Sequence, residues 1–363
     1  MHTGKTAALR NIWRNENLDN ELTTQMMNAD DLPQSSSEKE LFAEAKGAYS
    51  HSLLNLAIYL VLSIGLQNIA GIIYSKCSDI PLTVNSIWNI ILSFCPMYLI
   101  ALPVYLLISK KMKVSPPKKQ KLLPTDFLTY LCIGIGAMLV GNLITMLFVA
   151  AVGSTTGVDV SNDTLQTMMF SDNSKVMVLI ALFGAPIVEE LLFRKVFIDR
   201  VRKYGDGTAI VLSGVLFGLF HGNFSQVFYA ALLGCMFAFV YVKTGNVLYT
   251  MALHLCINFF GGAVATLLLS DVTDVGGLLS GGQEWLFEHL SEIRPYLLYN
   301  VLLYTLAFVG VVLFIYRMAE GTFFTLNESE TVLSKKSRWL AACINIGMLA
   351  FLICVGFLFV MSI

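Results

Sequence analysis

Long apolar stretches separated by short polar ones dominate the pattern of this sequence. An apolar stretch of about 20 residues at 1.5 Å rise per residue matches a hydrocarbon core of roughly 30 Å, so each such stretch predicts a membrane-spanning helix. Nine candidates lie near residues 51–74, 88–109, 127–152, 176–193, 208–221, 226–242, 247–269, 296–316 and 339–361. The pattern therefore predicts an all-α fold, a polytopic integral membrane helical bundle with about eight or nine transmembrane helices.

The shortest candidate, 208–221, is too short to cross the bilayer alone, and the sequence leaves open whether it spans, tilts or shares a broken helix with its neighbour. The whole chain divides into four predicted regions. They are a polar N-terminal tail (1–50), peripheral transmembrane helices with a basic loop (51–126), a catalytic membrane core (127–269) and C-terminal transmembrane helices (270–363). The tail carries no short apolar core with a small-residue cleavage site, so we do not expect a cleaved signal peptide.

Composition agrees with a chain that lies mostly in lipid. Hydrophobic residues make up 56% of the chain and charged residues only 13%, about half the charged fraction of an ordinary soluble domain. The formal net charge of −1 provides no global field for nucleic acid, so no nucleic-acid partner is expected. Six of the seven cysteines fall within apolar segments and none forms a CxxC pair, which favours a packing role.

The basic residues predict the orientation of the chain in the membrane. In a nine-helix arrangement, 21 of the 24 lysines and arginines fall on one side. Basic residues favour the cytoplasmic side. We therefore expect a multi-pass protein of the cell membrane with a cytoplasmic N-terminus, an external C-terminus and external loops at 153–175 and 270–295.

Ionisable residues within apolar segments are few. A charge at the centre of a spanning helix costs about 2.5–3.5 kcal/mol on insertion scales, so each one suggests function. Glu189 and Glu190 end one apolar run, His221 closes another, and His254 lies within a third. Counted from the inner ends of the predicted helices, Glu189 lies about 8 Å deep, His254 about 11 Å and His221 about 20 Å. These depths permit a common cavity in the cytoplasmic half of the bilayer.

Helical spacing sorts these side chains into pairs. Residues four apart share a helix face, so Glu190 can pair with Arg194. Glu189 then points about 100° away around the helix. His254 and Asn258 have the same spacing and project together from their helix.

The chemistry that suits such a cavity is hydrolysis. A desolvated carboxylate can take a proton from water while a histidine holds that water. A second histidine and an amide can donate hydrogen bonds to the oxyanion that develops on a carbonyl. The residues Glu189, His221 and His254 could instead bind a metal such as zinc, with an open position for water. The sequence leaves zinc and no cofactor as alternatives, and single polar groups of this kind also serve as interhelical contacts.

Three motifs resemble the CPBP intramembrane proteases, which include the type II CAAX prenyl endopeptidases and the bacteriocin-processing or immunity proteins called Abi proteins. They are EExxxR at Glu189–Arg194, FxxxH at Phe217–His221 and HxxxN at His254–Asn258. The resemblance covers about 176–260, and Lys195 departs from the glycine of many members. No HExxH, GxGD or serine-elbow motif indicates another class of intramembrane protease.

The resemblance implies a membrane endopeptidase in which Glu189 activates water, His221 holds it, and His254 with Asn258 stabilises the oxyanion. The family is named for metalloproteases, although a glutamate-dependent mechanism without metal has also been described. We therefore expect a glutamate-dependent intramembrane endopeptidase whose partners are a peptide or lipid-modified protein substrate and membrane lipid. The alternatives are a non-catalytic immunity or scaffold protein of the same fold, and a transporter.

Overall fold

The protein is a bundle of helices joined by short connections. A computed structural model describes residues 34–80, 82–83, 86–158, 160, 173–270, 272, 282–321 and 333–362, and this part of the chain contains no β-strand. Its helices are α1 Gln34–Cys77, α2 Ile87–Ser109, α3 Pro124–Thr156, α4 Ser174–Tyr204, α5 Asp206–Phe220, α6 Phe224–Thr244, α7 Val247–Leu269, α8 Gly282–Glu288, α9 Leu290–Ala319, α10 Lys335–Cys343 and α11 Ile346–Met361. The predicted all-α membrane bundle is confirmed.

Seven of these helices are long and apolar enough to cross a membrane: α1, α2, α3, α4, α6, α7 and α9, counted within the described ranges. Helices α10 and α11 are bent by 53° at their junction and together supply up to one further span. Helix α5 has 15 residues and corresponds to the short predicted stretch at 208–221. The chain is therefore a multi-pass membrane protein with seven or eight candidate spans and one shorter apolar helix.

Three of the helices contain π-helical turns. These turns lie at Met97–Ala101 in α2, at Ile180–Gly184 and Leu191–Ile198 in α4, and at Phe259–Ala263 in α7. A π turn holds one more residue than an α turn and interrupts the regular hydrogen-bond ladder, and such turns often occur at functional sites. In this protein they lie in three helices that also line the central cavity.

Glycines bring the helix backbones close together. A Cβ atom added to Gly214 of α5 would lie 2.5 Å from the backbone nitrogen of Cys235 in α6. One added to Gly310 of α9 would lie 1.8 Å from the carbonyl oxygen of Cys132 in α3. Small residues at these contacts permit the close packing on which helix association in lipid depends. The end of α5, which carries His221, lies beside the cavity in the bundle.

The basic segments gather at one end of the bundle. Residues 110–123, which we call the basic strap, cross this end between α2 and α3. The backbone nitrogen of Ser115 donates to the carbonyl of Asp199 at 2.6 Å, and that of Gln120 donates to the carbonyl of Thr244 at 2.8 Å. We call this the basic end. Its position relative to the cytoplasm stays a prediction.

Candidate active site

A cavity of about 570 Å³ lies within the bundle. Glu189, His221, His254 and Asn258 all line it, although they come from two helices, α4 and α7, and from the end of a third, α5. The four side chains therefore share one cavity, and the position of that cavity in the bilayer stays a prediction. Glu189 is the single carboxylate among the described residues that line it, and no lysine or arginine side chain accompanies it.

Helix α4 continues beyond the predicted apolar stretch, which ends near residue 193, to Tyr204. Glu189 therefore lies within a long helix and not near its end. The depths of Glu189 and His254 in the bilayer stay predictions.

A buried ion pair lies behind the cavity wall. The Arg194 Nε atom is 3.2 Å from Glu190 Oε2, and both side chains are completely buried. On the other side of the carboxylate, His254 Nδ1 donates to Glu190 Oε1 at 3.0 Å. An ionised carboxylate only accepts hydrogen bonds, so Nδ1 carries the hydrogen. Glu190 therefore fixes both the orientation of the imidazole and the position of one of its hydrogens.

Aromatic rings enclose the guanidinium of Arg194. Its central carbon lies 4.5 Å from the ring centroid of Phe217, 5.4 Å from that of Phe237 and 5.9 Å from that of Phe193. Arg194 Nη2 also donates to the carbonyl of Gly234 at 3.3 Å. Ring faces attract a cation when water is excluded. These contacts and the Glu190 carboxylate stabilise the charge of Arg194 inside the bundle.

The two adjacent glutamates have different surroundings. Glu189 keeps 18% of its side chain exposed, compared with 0% for Glu190. Its Oε2 atom is 3.7 Å from His254 Nε2, which is too long for a hydrogen bond but close enough for charge interaction. Both carboxylates therefore act on the same imidazole, one from inside the protein and one from the cavity.

The other two polar groups of the site are also oriented by backbone carbonyls. His221 Nδ1 donates to the carbonyl of Phe217 at 2.8 Å, which leaves Nε2 with a lone pair that can accept a hydrogen bond. Asn258 Nδ2 donates one hydrogen to the carbonyl of Ala181 at 2.8 Å, and the amide has a second hydrogen to offer. The Phe217–His221 spacing thus supplies a backbone contact in addition to the ring contact at 5.0 Å.

The cavity also has walls that sequence reasoning missed. Phe94, Met97 and Tyr98 of α2 line it, although α2 belongs to the region predicted as peripheral. Asn142 of α3 and Gln226 of α6 add amides from the middle and the start of their spans. The rule that flagged Asn258 could have found both, since each is a polar residue within an apolar stretch. Nothing in the local sequence singles out Tyr98.

The choice between zinc and no cofactor stays a prediction. Within the part of the chain that the structure describes, no three or more histidine, cysteine, aspartate or glutamate side chains are arranged to hold an ion. The contact of His254 Nδ1 with Glu190 leaves Nε2 toward the cavity, and a histidine held in this way can still bind a metal through that nitrogen.

Comparisons with known proteins match the segment of the chain that contains these residues. The family model described as "Type II CAAX prenyl endopeptidase Rce1-like" matches residues 171–260. A curated relative, "Putative membrane peptidase YdiL" of Bacillus subtilis, is 29% identical over 86 residues. That match covers 23% of this chain and 35% of the relative's length. No solved structure matches the chain. The matched family segment contains all six residues of the candidate site, from Glu189 to Asn258.

Proposed function

Because its segment 171–260 assigns the chain to the CPBP family of membrane peptidases, we propose that it is an intramembrane endopeptidase dependent on Glu189. One observation carries the proposal: the cavity that collects both histidines and Asn258 contains a single described carboxylate, that of Glu189. A carboxylate in a largely apolar cavity can remove a proton from water, because few neighbouring groups compete for it.

Each side chain has a role that follows from the atoms that face the cavity and are not engaged in the contacts described above. Glu189 takes a proton from the attacking water, and the lone pair on His221 Nε2 accepts a hydrogen bond from the same water. As the carbonyl is attacked, the second amide hydrogen of Asn258 donates to the oxyanion, and His254 donates to it from Nε2 when its ring carries a hydrogen on both nitrogens. The carbon–nitrogen bond then breaks, and Glu189 passes its proton to the leaving amine. Glu190 and Arg194 act through His254 as positioning residues.

The shape of the cavity suggests an extended peptide segment as the substrate. Its lining residues follow α7 from His254 to Thr266, twelve residues apart and therefore about 18 Å. A strand of about five residues has this length. Apolar walls from Met97, Met138 and Leu233 suit a segment that is held in the membrane or carries a lipid.

A reconstituted assay tests the proposal. The purified full chain in liposomes should cleave a farnesylated peptide that carries a fluorophore and a quencher on opposite sides of its scissile bonds. Glu189→Gln keeps the size of the side chain but removes its basicity, so the rate should fall at least about a hundredfold. The matched control is Glu292→Gln, because Glu292 is exposed in the first turn of α9. Equal rates for wild type and Glu189→Gln would favour the non-catalytic alternative.

We also propose that the basic end faces the cytoplasm. Exposed Cys77 ends α1 and lies at the opposite end of that helix from the tail. An impermeant thiol reagent applied to intact cells should therefore label Cys77. In a Cys77→Ser background, Lys119→Cys in the basic strap should stay unlabelled until the cells are permeabilised. The reverse pattern would invert the orientation.

A further inference from the structure

Two buried hydroxyl groups on α1 make no hydrogen bond of ordinary geometry. Tyr59 is 1% exposed and Ser63 is 4% exposed, and their hydroxyls interact with each other without reaching hydrogen-bond distance and angle. The two residues are four apart, so their side chains lie on one face of α1. Leaving a polar group buried without a partner costs free energy, and proteins usually satisfy such groups with an ordered water. These hydroxyls therefore indicate a binding place for water.

Ring contacts place this pair against the catalytic turn of α4. The Tyr59 ring centroid is 5.8 Å from that of Tyr105 and 5.9 Å from that of Phe220. The Tyr105 hydroxyl donates to the carbonyl of Leu192, three residues beyond Glu189. Phe220 directly precedes His221 in the chain. Tyr59 thus lies between the helix turn that carries Glu189 and the helix end that carries His221.

Tyr98 connects this pair to the cavity. Its ring packs over Gly184, where an added Cβ atom would lie 2.8 Å from Tyr98 Cε2. Tyr98 lines the cavity together with Glu189. The turn Met97–Ala101 that carries Tyr98 packs against α1, and Tyr98 packs against the same apolar cluster as Tyr59. The polar surface of the site therefore continues from Glu189 toward α1.

We propose that Tyr59 and Ser63 hold a water molecule beside Glu189, and that this water positions the water that attacks the substrate. The inference rests on the proposed function of Glu189. It also makes Tyr59 and Ser63, which lie outside the matched segment 171–260, positioning residues of the reaction. A site among membrane-spanning helices needs such a place, because the hydrocarbon core around the helices holds no bulk water.

The same helix provides matched controls. Tyr49 is 0% exposed and Ser52 is 2% exposed, and their hydroxyls also make no hydrogen bond of ordinary geometry. Tyr49, however, packs against Tyr204 near the basic end, with ring centroids 6.3 Å apart. Tyr49→Phe and Ser52→Ala therefore remove the same chemical groups from the same helix at a distance from Glu189.

The experiment measures peptide cleavage and thermal stability of the full chain in liposomes. Tyr59→Phe and Ser63→Ala should each lower kcat about tenfold, the effect of one lost hydrogen bond of roughly average strength. KM and Tm should be unchanged, and the pH profile of kcat should change because Glu189 loses its water. The double variant should be no slower than the slower single variant, since both hydroxyls hold one water. The control variants should match wild type.

Three outcomes would overturn the inference. One is a wild-type kcat for Tyr59→Phe and Ser63→Ala while Glu189→Gln is inactive. Another is a loss of kcat that the control variants Tyr49→Phe and Ser52→Ala share. The same conclusion follows if the loss of kcat in Tyr59→Phe and Ser63→Ala accompanies a lower Tm without a change in the pH profile of kcat. The third does not depend on activity: an experimental map that resolves ordered water but shows none between these hydroxyls. Retained cleavage by Glu189→Gln would instead contradict the proposed function.

Discussion

The half of the bundle at the basic end and the half that contains the cavity differ in how tightly they are packed. Near the basic end, Tyr204, Phe239 and Tyr241 are at most 2% exposed, and the Tyr241 hydroxyl donates to Asp199 Oδ1 at 2.6 Å. In the other half, the same helices separate around a cavity of about 570 Å³. The closed half fixes the positions of side chains, and the open half leaves room for a substrate.

The candidate site lies at the boundary between these halves. Glu190 and Arg194 belong to the closed half, where both are fully buried. Glu189 faces the cavity, and His254 touches both carboxylates. The boundary thus separates residues whose loss should change stability from residues whose loss should change only chemistry. Variants on the two sides of the boundary can test that separation.

The largest expected effect on stability comes from Glu190→Gln. It leaves the guanidinium of Arg194 buried without its carboxylate, and the loss of one partner of a buried ion pair typically costs about 3–5 kcal/mol. Activity should fall as well, because His254 Nδ1 loses its charged acceptor. Thermal unfolding and cleavage rates of the reconstituted protein measure both effects.

Two further variants sharpen this result. Glu190→Gln combined with Arg194→Met should recover part of the lost stability, since no unpaired charge remains, but little of the activity. Glu44→Gln is the control, because Glu44 pairs with Lys203 in a half-exposed position and should cost less than about 1 kcal/mol. A fully stable but inactive Glu190→Gln would contradict the structural assignment of Glu190.

A smaller effect is expected where α5 meets α6. Gly214→Ala places a methyl group 2.5 Å from the backbone nitrogen of Cys235, so α5 must move. Such overpacking typically costs about 1–3 kcal/mol, and the movement displaces His221 at the end of α5. Gly207→Ala on the same helix meets nothing within 4 Å and is the control. An unchanged Tm and cleavage rate for Gly214→Ala would show that this contact does not position His221.

Much of this arrangement could be predicted from the sequence, because it depends on local periodicity. The i, i+4 spacing correctly predicted the contact between Glu190 and Arg194. It also placed His254 and Asn258 on one cavity wall. The continuation of α4 to Tyr204 was not predicted, because the charged residues after position 193 interrupt the apolar pattern. Apolar patterning marks the part of a helix in lipid and not the part that emerges from it.

The contribution of α1 and α2 could not be predicted in this way. Tyr59 and Tyr98 are ordinary residues of apolar helices, and only long-range packing brings Tyr98 to the cavity that Glu189 lines and Tyr59 to Phe220. The additional hydrogen bond from His254 to Glu190 was missed for the same reason, since the two residues are 64 positions apart.

The smallest expected effect is that of metal removal. We propose that hydrolysis needs no tightly bound zinc, since Glu189, His221, His254 and Asn258 supply a base, a water ligand and two oxyanion donors. The purified protein is dialysed against a chelator, and metal analysis measures the zinc that remains. Its cleavage rate should be the same before and after dialysis. Stoichiometric zinc that leaves together with activity, with both restored on readdition, would contradict this.

The most direct test compares the termini of membrane proteins in cells that express the wild-type chain, Glu189→Gln or Glu292→Gln. Mass spectrometry of membrane-protein C- and N-termini identifies cleaved substrates without assuming their sequence. We predict a set of new termini in cells with wild type and Glu292→Gln that is absent with Glu189→Gln, at equal protein levels. The same termini in all three strains, or none in any of them, would contradict an intramembrane peptidase that depends on Glu189.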